Sequence, residues 1–535
     1  MRLGPLALAT LLMLPRLASA QFGLLDDGLT LQTGREMQGR WASVLDLIPE
    51  TGRFFPAYWL TYSLVWSIVG NHPVAFFAVN VLVLAAVLAM LARLVRLAGG
   101  TRAAAVVTTL AFAICGPTVE SFYTLSKAEP LQLAWMALSL LCTAAAAAGR
   151  TPLARTGWAS LGAGALLLAH ATKETSVVLI PIALGWLVVE WRATPVKSGM
   201  RRFATIYLAI VVASAAVFSV LRWRYAALPL AEGWYTRAYA VDVATVGPAL
   251  FRITAWLVRD FAFLLPLVAV GLLRHRPRRP ILYAGIWMLG WLLVYLPWPA
   301  SFEYHLLPFA FGAAALAGLV AVDLWHERTG PHRRLAWSVL VVSALLWSVS
   351  LVNATVDASV QLAVDRANAE LVSFLGTLPR DSRVVLNMTP ANEYHYELPM
   401  HVAELEHRPD IVFVRAGAPP PRPGHTFVAT AEMSNQPGPT VRIALHEAGV
   451  RADNAALRSL VSGDAERVYH AAHHVGIVEL GIQRLLCRVA ARPVFDPTYC
   501  PADRGIIFRR TFSYGWQVHR LVRDSSIAAT MRHGG

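Results

Sequence analysis

Apolar runs of roughly 15–25 residues alternate with short basic connections through the first two thirds of the chain. A hydrocarbon core about 30 Å thick takes about 20 helical residues to cross, so runs of this length read as membrane spans. Spans are predicted at 3–23, 73–92, 103–118, 131–148, 157–172, 175–191, 203–221, 248–272, 281–297, 306–325 and 335–352, about eleven in all. The block Pro56–Val69 stands apart. Its fourteen residues make about 21 Å of helix, short of the bilayer core. It reads as a helix lying in the outer interface, because a spanning assignment would invert every later basic loop.

After about residue 353 the pattern changes to mixed polarity with Pro- and Gly-rich connections. Strand-like runs stand at Arg383–Leu386, 411–414 and near 426–429, and helical spacing appears around 454–461 and 465–487. The pattern thus predicts a polytopic α-helical membrane module, 1–352, and a C-terminal extracytoplasmic α/β or α+β domain, 353–535.

Composition agrees. Of 535 residues 56% are hydrophobic and only 15% charged, against about 25% charged in soluble domains. The formal net charge of +14 suggests a nucleic-acid partner until its distribution is considered. Arg93, Arg96 and Arg102, Arg150 and Arg155, Arg192, Lys197, Arg201 and Arg202, Arg274 to Arg279, and Arg328, Arg333 and Arg334 all fall in alternate loops. That is a topology signal, and such loops attract anionic lipid headgroups rather than nucleic acid. It predicts a multi-pass protein of the cytoplasmic (inner) membrane, N-terminus inside and C-terminal domain outside. The segment 3–22, with Arg2 ahead and Ala18-Ser19-Ala20 behind, also resembles a signal peptide; an uncleaved first span is the preferred reading because more membrane follows. Cys115 and Cys142 read as small packing residues, whereas Cys487 and Cys500 could form a disulfide outside the cytoplasm.

Ionisable residues collect on the predicted outer face. Asp26 and Asp27 follow the first span, with Arg35, Glu36 and Arg53 behind them. Glu120, Lys127 and Glu129 stand in the next outer segment, and Lys173-Glu174 in a short outer turn. Arg222, Arg224 and Arg237 follow, then Arg252 and Arg259 on one helical face, then Glu303 and His305 at the mouth of a span. Singly, each reads as a solvated or paired charge. Gathered on one face, they suggest one site, where carboxylates accept a proton or hold a metal and cations hold a phosphate.

Several of these segments resemble the GT-C class of membrane glycosyltransferases, in particular the protein O-mannosyltransferase and lipid A aminoarabinose-transferase branch. Asp26-Asp27-Gly28, continuing to Gly34-Arg35-Glu36-Met37 and Trp41, is similar to its acidic pair and following interfacial helix. Arg53-Phe54-Phe55-Pro56-Ala57-Tyr58-Trp59 resembles its proline-aromatic segment, and Pro117 to Glu120 through Lys127-Ala128-Glu129 its second acidic loop. Thr172-Lys173-Glu174-Thr175 and Glu303-Tyr304-His305-Leu306-Leu307-Pro308 resemble two later elements. The likeness covers roughly residues 20–310. It departs where the family commonly has arginine before the late tyrosine, since Phe302 and Glu303 stand there.

The resemblance implies a polyprenyl-phosphate sugar donor, an extracytoplasmic acceptor (protein, lipid or polysaccharide) and inversion at the anomeric centre. It makes Asp26 the base, Asp27 its support, and Glu120 an assistant or ligand of a divalent metal; no other cofactor is called for. Arg53, Lys127, Glu129, Lys173, Glu174, Arg222, Arg224, Tyr304 and His305 become candidates for binding the lipid phosphate or sugar. The rival reading is a transporter or lipid flippase for envelope precursors, which calls for charged pairs near the midplane and inverted repeats. A third is a catalytically silent assembly protein. His470 and His474, four apart, could share a helix face as metal ligands, but no partner ligand stands at a telling distance.

Overall fold

The computed structural model describes residues 4–24, 27–45, 54–125, 127–192, 198–225, 241–274, 279–298, 303–328, 330–386, 394–414, 425–434, 465–480 and 507–521. Asp26, Arg53, Arg237, Cys487, Cys500 and the segment 454–461 lie outside the described residues.

The chain is a polytopic helical membrane protein with a C-terminal mixed sheet. Its early helices are α1 (Gly4–Ala18), α2 (Asp27–Glu36), α3 (Pro56–Val69) and α4 (Pro73–Leu97). A bent pair follows, α5 (Arg102–Ala113) and α6 (Gly116–Phe122), then α7 (Glu129–Ala148), α8 (Pro152–Thr172), α9 (Leu179–Arg192) and α10 (Ser198–Tyr225). The last membrane helices are α11 (Val243–Phe261), α12 (Leu264–Arg274), α13 (Arg279–Tyr295), α14 (Leu307–Glu327) and α15 (Arg333–Gly376). Their starts are written locally. Thr101 and Thr151 cap α5 and α8 by accepting from Ala104 and Ala154 N–H, and proline opens α3, α4 and α8, where its missing donor costs nothing.

Helices stand at all eleven expected positions. Among the described residues six helices are long and apolar enough to cross a membrane, or eight if each bent pair counts as one span, and α1 and α13 are shorter apolar helices. The Pro56–Val69 helix has the expected bounds. The segment Glu303–Glu327 has 83% of its apolar window buried, against 22–50% for the other five long spans, which makes α14 the central helix of the bundle. Gly318 is what lets it sit there: a Cβ would meet Thr108 Oγ1 and, at 2.5 Å, the carbonyl of Ala104 on α5.

Helix α15 is 44 residues long and runs through position 353 without a break, so the membrane body and the C-terminal sheet share it. Its buried positions 353, 357, 360, 364, 368, 371 and 375 step by three and four. The later ones carry a sheet of five strands, β1 (Arg383–Leu386), β2 (Val412–Val414), β3 (Thr426–Ser434), β4 (Ala465–Leu480) and β5 (Ile507–Leu521), with α16 (Tyr394–Leu405) between β1 and β2. Strand order is β2-β1-β3-β5-β4; β1 pairs parallel with β2 and β3, and β5 pairs antiparallel with β3 and β4. Phe512, Tyr514, Trp516 and Val518 alternate inward from β5 beside Leu371 and Leu375. Asn368 accepts from the Trp516 indole N–H (2.9 Å) and the Tyr514 hydroxyl (3.3 Å), so the polar tips of this core are satisfied.

One expectation is corrected here. The helical spacing at 465–487 gives way to strand β4 over Ala465–Leu480, paired along its length with β5. Helix-favouring alanines and glutamates yield to a long aromatic partner strand that supplies every ladder bond. Gly515 permits the pairing, since a Cβ there would strike the Ala471 carbonyl.

Candidate active site

Three helix ends converge on one cluster. Lys127 precedes α7, Glu129 is the first residue of α7, and Lys173 is the extended residue that closes α8 ahead of a 3₁₀ turn, Glu174–Val178. A second 3₁₀ turn, Glu303–Leu306, delivers Tyr304 and His305 ahead of α14. Lys173 forms an ion pair with Glu129, and His305 Nε2 lies 3.8 Å from the same Glu129 oxygen. The Lys127 and Lys173 ammonium groups stand 4.3 Å and 5.6 Å from the centre of the Tyr304 ring. His305 stacks on Tyr295 at 4.5 Å. Lys127, Glu129, Lys173 and His305 are all buried. Aromatic faces and a neighbouring carboxylate offset part of the cost of holding ammonium groups out of bulk water. Five of the residues expected at the site therefore meet; Tyr295 joins them unforeseen.

Asp27 heads α2 and is 2% exposed. Its Oδ2 accepts the Gly23 N–H at 2.7 Å, which turns the preceding loop back onto the helix. Tyr62 of α3 lies close enough to feel the Asp27 charge and donates its hydroxyl to the Leu125 carbonyl, two residues before Lys127. Asn80 of α4 donates to the carbonyls of Phe122 (3.0 Å) and Thr124 (3.1 Å). The loop that carries Lys127 is thus fastened to the elements that flank Asp27.

The C-terminal region also reaches Asp27. Glu397 of α16 accepts the Gly28 N–H at 2.7 Å, and His401, one turn on, lies 3.8 Å from the same carboxylate. A Cβ at Gly28 would stand 2.6 Å from Glu397 Oε2, so glycine is required for this approach. Both side chains are buried, and burial lowers the His401 pKa to about 4. Arg16 and Asp365, also buried, pair at 2.7 Å and tie α1 to α15. Glu397, His401 and Asp365 went unforeseen because each sits in a segment of ordinary mixed polarity.

A second charged knot lies under α6. Arg259 of α11 pairs with Asp357 of α15 (2.5 Å and 2.6 Å) and with Glu303 (3.0 Å), and Asp260 lies beside it at 3.7 Å. Gly116 opens α6 against these acids, since a Cβ would meet Glu303 Oε1 and, at 3.0 Å, Asp260 Oδ1. Glu120, half-buried in α6, lies close to the Glu303 carboxyl. Arg259 was singled out by its place on a helical face; Asp260 and Asp357 had no such signal.

Glu174 points elsewhere: it accepts the Phe54 N–H at 2.9 Å and so anchors the entry to α3. Arg222 and Arg224 occupy the last turn of α10, whose Phe218 packs on Phe54 at 5.8 Å. His470 and His474 lie on strand β4 rather than a helix, and His470 is 3.2 Å from Glu432. Among the described residues no group of three or more His, Cys, Asp or Glu could hold a metal ion.

Neither a protein-family model nor a curated protein matches the sequence. Solved structures do match by shape. ArnT from Cupriavidus metallidurans bound to undecaprenyl phosphate is 15% identical, with 77% of this chain and 86% of that chain covered and a TM-score of 0.50. The same enzyme in the apo state is 14% identical over 95% of this chain and 96% of that one, with a TM-score of 0.48. The oligosaccharyltransferase AglB from Archaeoglobus fulgidus, in complex with an inhibitory peptide and a dolichol-phosphate, is 12% identical over 77% of this chain and 64% of that one, with a TM-score of 0.48. The first of these likenesses shows that the chain shares the fold of that structure.

Proposed function

We propose that this chain is a membrane glycosyltransferase that moves a sugar from a polyprenyl phosphate to an acceptor outside the cytoplasmic membrane. The observation that carries the reading is the meeting of Lys127, Lys173, Glu129, Tyr304 and His305 beside the segment fastened to Asp27, on a fold shared with a protein captured with undecaprenyl phosphate. Two ammonium groups over one tyrosine ring suit the phosphate of such a donor, whose tail stays in the bilayer. In the reaction an acceptor oxygen attacks the anomeric carbon and loses its proton to a carboxylate. The bond from that carbon to the phosphate oxygen breaks on the opposite side, so the configuration inverts. Asp26 serves as base with Asp27 in support, and Glu120 assists. Lys127 and Lys173 stabilise the charge that grows on the departing phosphate.

The test uses labelled polyprenyl-phosphate sugar and membranes holding the full chain. Replacing Asp26 and Asp27 together by Asn is expected to abolish transfer while the protein stays in the membrane. Lys127→Gln and Lys173→Gln are each expected to weaken polyprenyl-phosphate binding by roughly ten- to a hundred-fold, the worth of a charged hydrogen bond. Full transfer by the double aspartate variant would overturn the assignment.

A further inference from the structure

Between the far end of α7 and the middle of α14, the bundle holds a cavity of about 430 Å³. Helix α7 starts at Glu129 in the cluster and reaches this cavity with Ala147 and Ala148 in its last turn. Twenty residues separate the two ends, about 30 Å of helix, or one hydrocarbon core. The mouth of the cavity, at the ends of α4 and α7 and the start of α10, therefore belongs to the opposite leaflet from the proposed transfer site, and its α14 wall, Phe311 to Leu319, reaches into the middle of the bundle.

Its wall is aromatic. Trp186 stacks on Tyr283 at 4.8 Å and 6°, and Phe203 and Trp287 complete the surface. The polar tips of these rings are turned to the protein. Trp186 Nε1 donates to the Tyr283 carbonyl (3.0 Å), Trp287 Nε1 to the Pro308 carbonyl (2.6 Å), and the Tyr283 hydroxyl to Glu190 (3.1 Å). What the wall offers a guest is hydrocarbon contact. Space exists because small residues face it, Ala144 from α7 and Gly312 and Ala315 from α14.

The rim is cationic. Gly199 and Met200 line the cavity, and exposed Arg201 and Arg202 follow them directly. Arg202 donates to the carbonyl of Ala147, itself a lining residue, at 3.3 Å. Exposed Arg96 stands in the last turn of α4 among lining residues Leu94, Val95 and Leu97, and donates to the Gly100 carbonyl at 2.8 Å. Each guanidinium carries five N–H donors, so these single bonds to carbonyls fix its position and leave donors for an anion.

From this pairing of a hydrocarbon-lined cavity with an arginine rim we propose a binding site for an anionic phospholipid of the leaflet opposite the transfer site. One acyl chain enters among Trp186, Tyr283 and Trp287, and the headgroup phosphate is held by Arg96 and Arg202. A zwitterionic lipid places the same chain there but brings an ammonium group towards the arginines, which sets the preference.

Native mass spectrometry of the full chain, released from micelles holding equal amounts of phosphatidylglycerol and phosphatidylcholine, tests this. The wild-type protein is expected to retain phosphatidylglycerol in preference. Ala315→Phe fills the cavity and removes the adduct; Ala144→Phe reaches the same space from α7 and repeats the test should the first variant not fold. Arg96→Gln and Arg202→Gln, both at exposed positions, each lower the preference by about five-fold. Equal retention of the two lipids by the wild type, or an adduct unchanged in a folded cavity-filling variant, overturns the proposal. The readout does not pass through sugar transfer, so it stands or falls separately from the transferase reading.

Discussion

His401 is held neutral by the apolar surroundings that lower its pKa to about 4, from an ordinary value near 6.5. The unfolded chain binds a proton on this ring below about pH 6.5, whereas the folded chain resists until about pH 4. Stability from this residue is complete above pH 6.5 and falls as pH drops through that window, by at most about 3 kcal/mol. A melting curve recorded from pH 7 to pH 4 is expected to slope less in His401→Gln than in the wild type; parallel slopes would remove His401 from the account. Glu397 works beside it. Glu397→Ala leaves the Gly28 N–H without its acceptor and frees the start of α2, so transfer is expected to fall more than melting temperature does. Rescue by Gln, which restores an acceptor oxygen, distinguishes positioning from charge. What made Lys127, Glu129, Lys173 and His305 legible in the sequence was contrast, because an ionisable group among apolar neighbours is costly and asks for a reason. Glu397 and His401 lack that contrast. Their burial comes from α16 docking on α2, a contact between residues 369 positions apart that no local pattern encodes.

At the scale of elements, close approach is controlled by single glycines. Gly318 allows α14 to cross α5 within reach of the Thr108 hydroxyl. Gly318→Val is expected to destabilise the bundle by about 1–3 kcal/mol, the usual cost of overpacking, read as a lower melting temperature in detergent; a smaller residue on the facing helix, Thr108→Ala, should recover part of it. The bounds of α3, and of β1, follow from proline at a helix start and from alternation over a short run. Strand β4 was illegible for the converse reason. Its alanines and two glutamates favour a helix locally, and only the presence of β5, which lies more than twenty residues further along the chain, turns them into a strand. The two breaks, between α5 and α6 (62°) and between α11 and α12, were read as straight spans because composition does not report direction.

For the molecule as a whole, Arg259 joins three elements, α11, the turn before α14 and α15. Arg259→Ala leaves Asp357, Glu303 and Asp260 buried around a missing cation, and is expected to cost about 3–5 kcal/mol. Loss of a cooperative melt, or failure to accumulate in the membrane, is the readout; an unchanged melt would show that the three acids are compensated elsewhere.

The unbroken run of α15 has a practical corollary. About 66 Å of continuous helix serves the bilayer at one end and is the floor of the C-terminal sheet at the other. A protein cut at residue 353 to obtain the C-terminal part by itself would start in mid-helix, and one cut after residue 376 would strip Leu371 and Leu375 from beneath Trp516. Neither cut falls at a natural end of the fold, so the last third of this protein has to be studied with its membrane part attached.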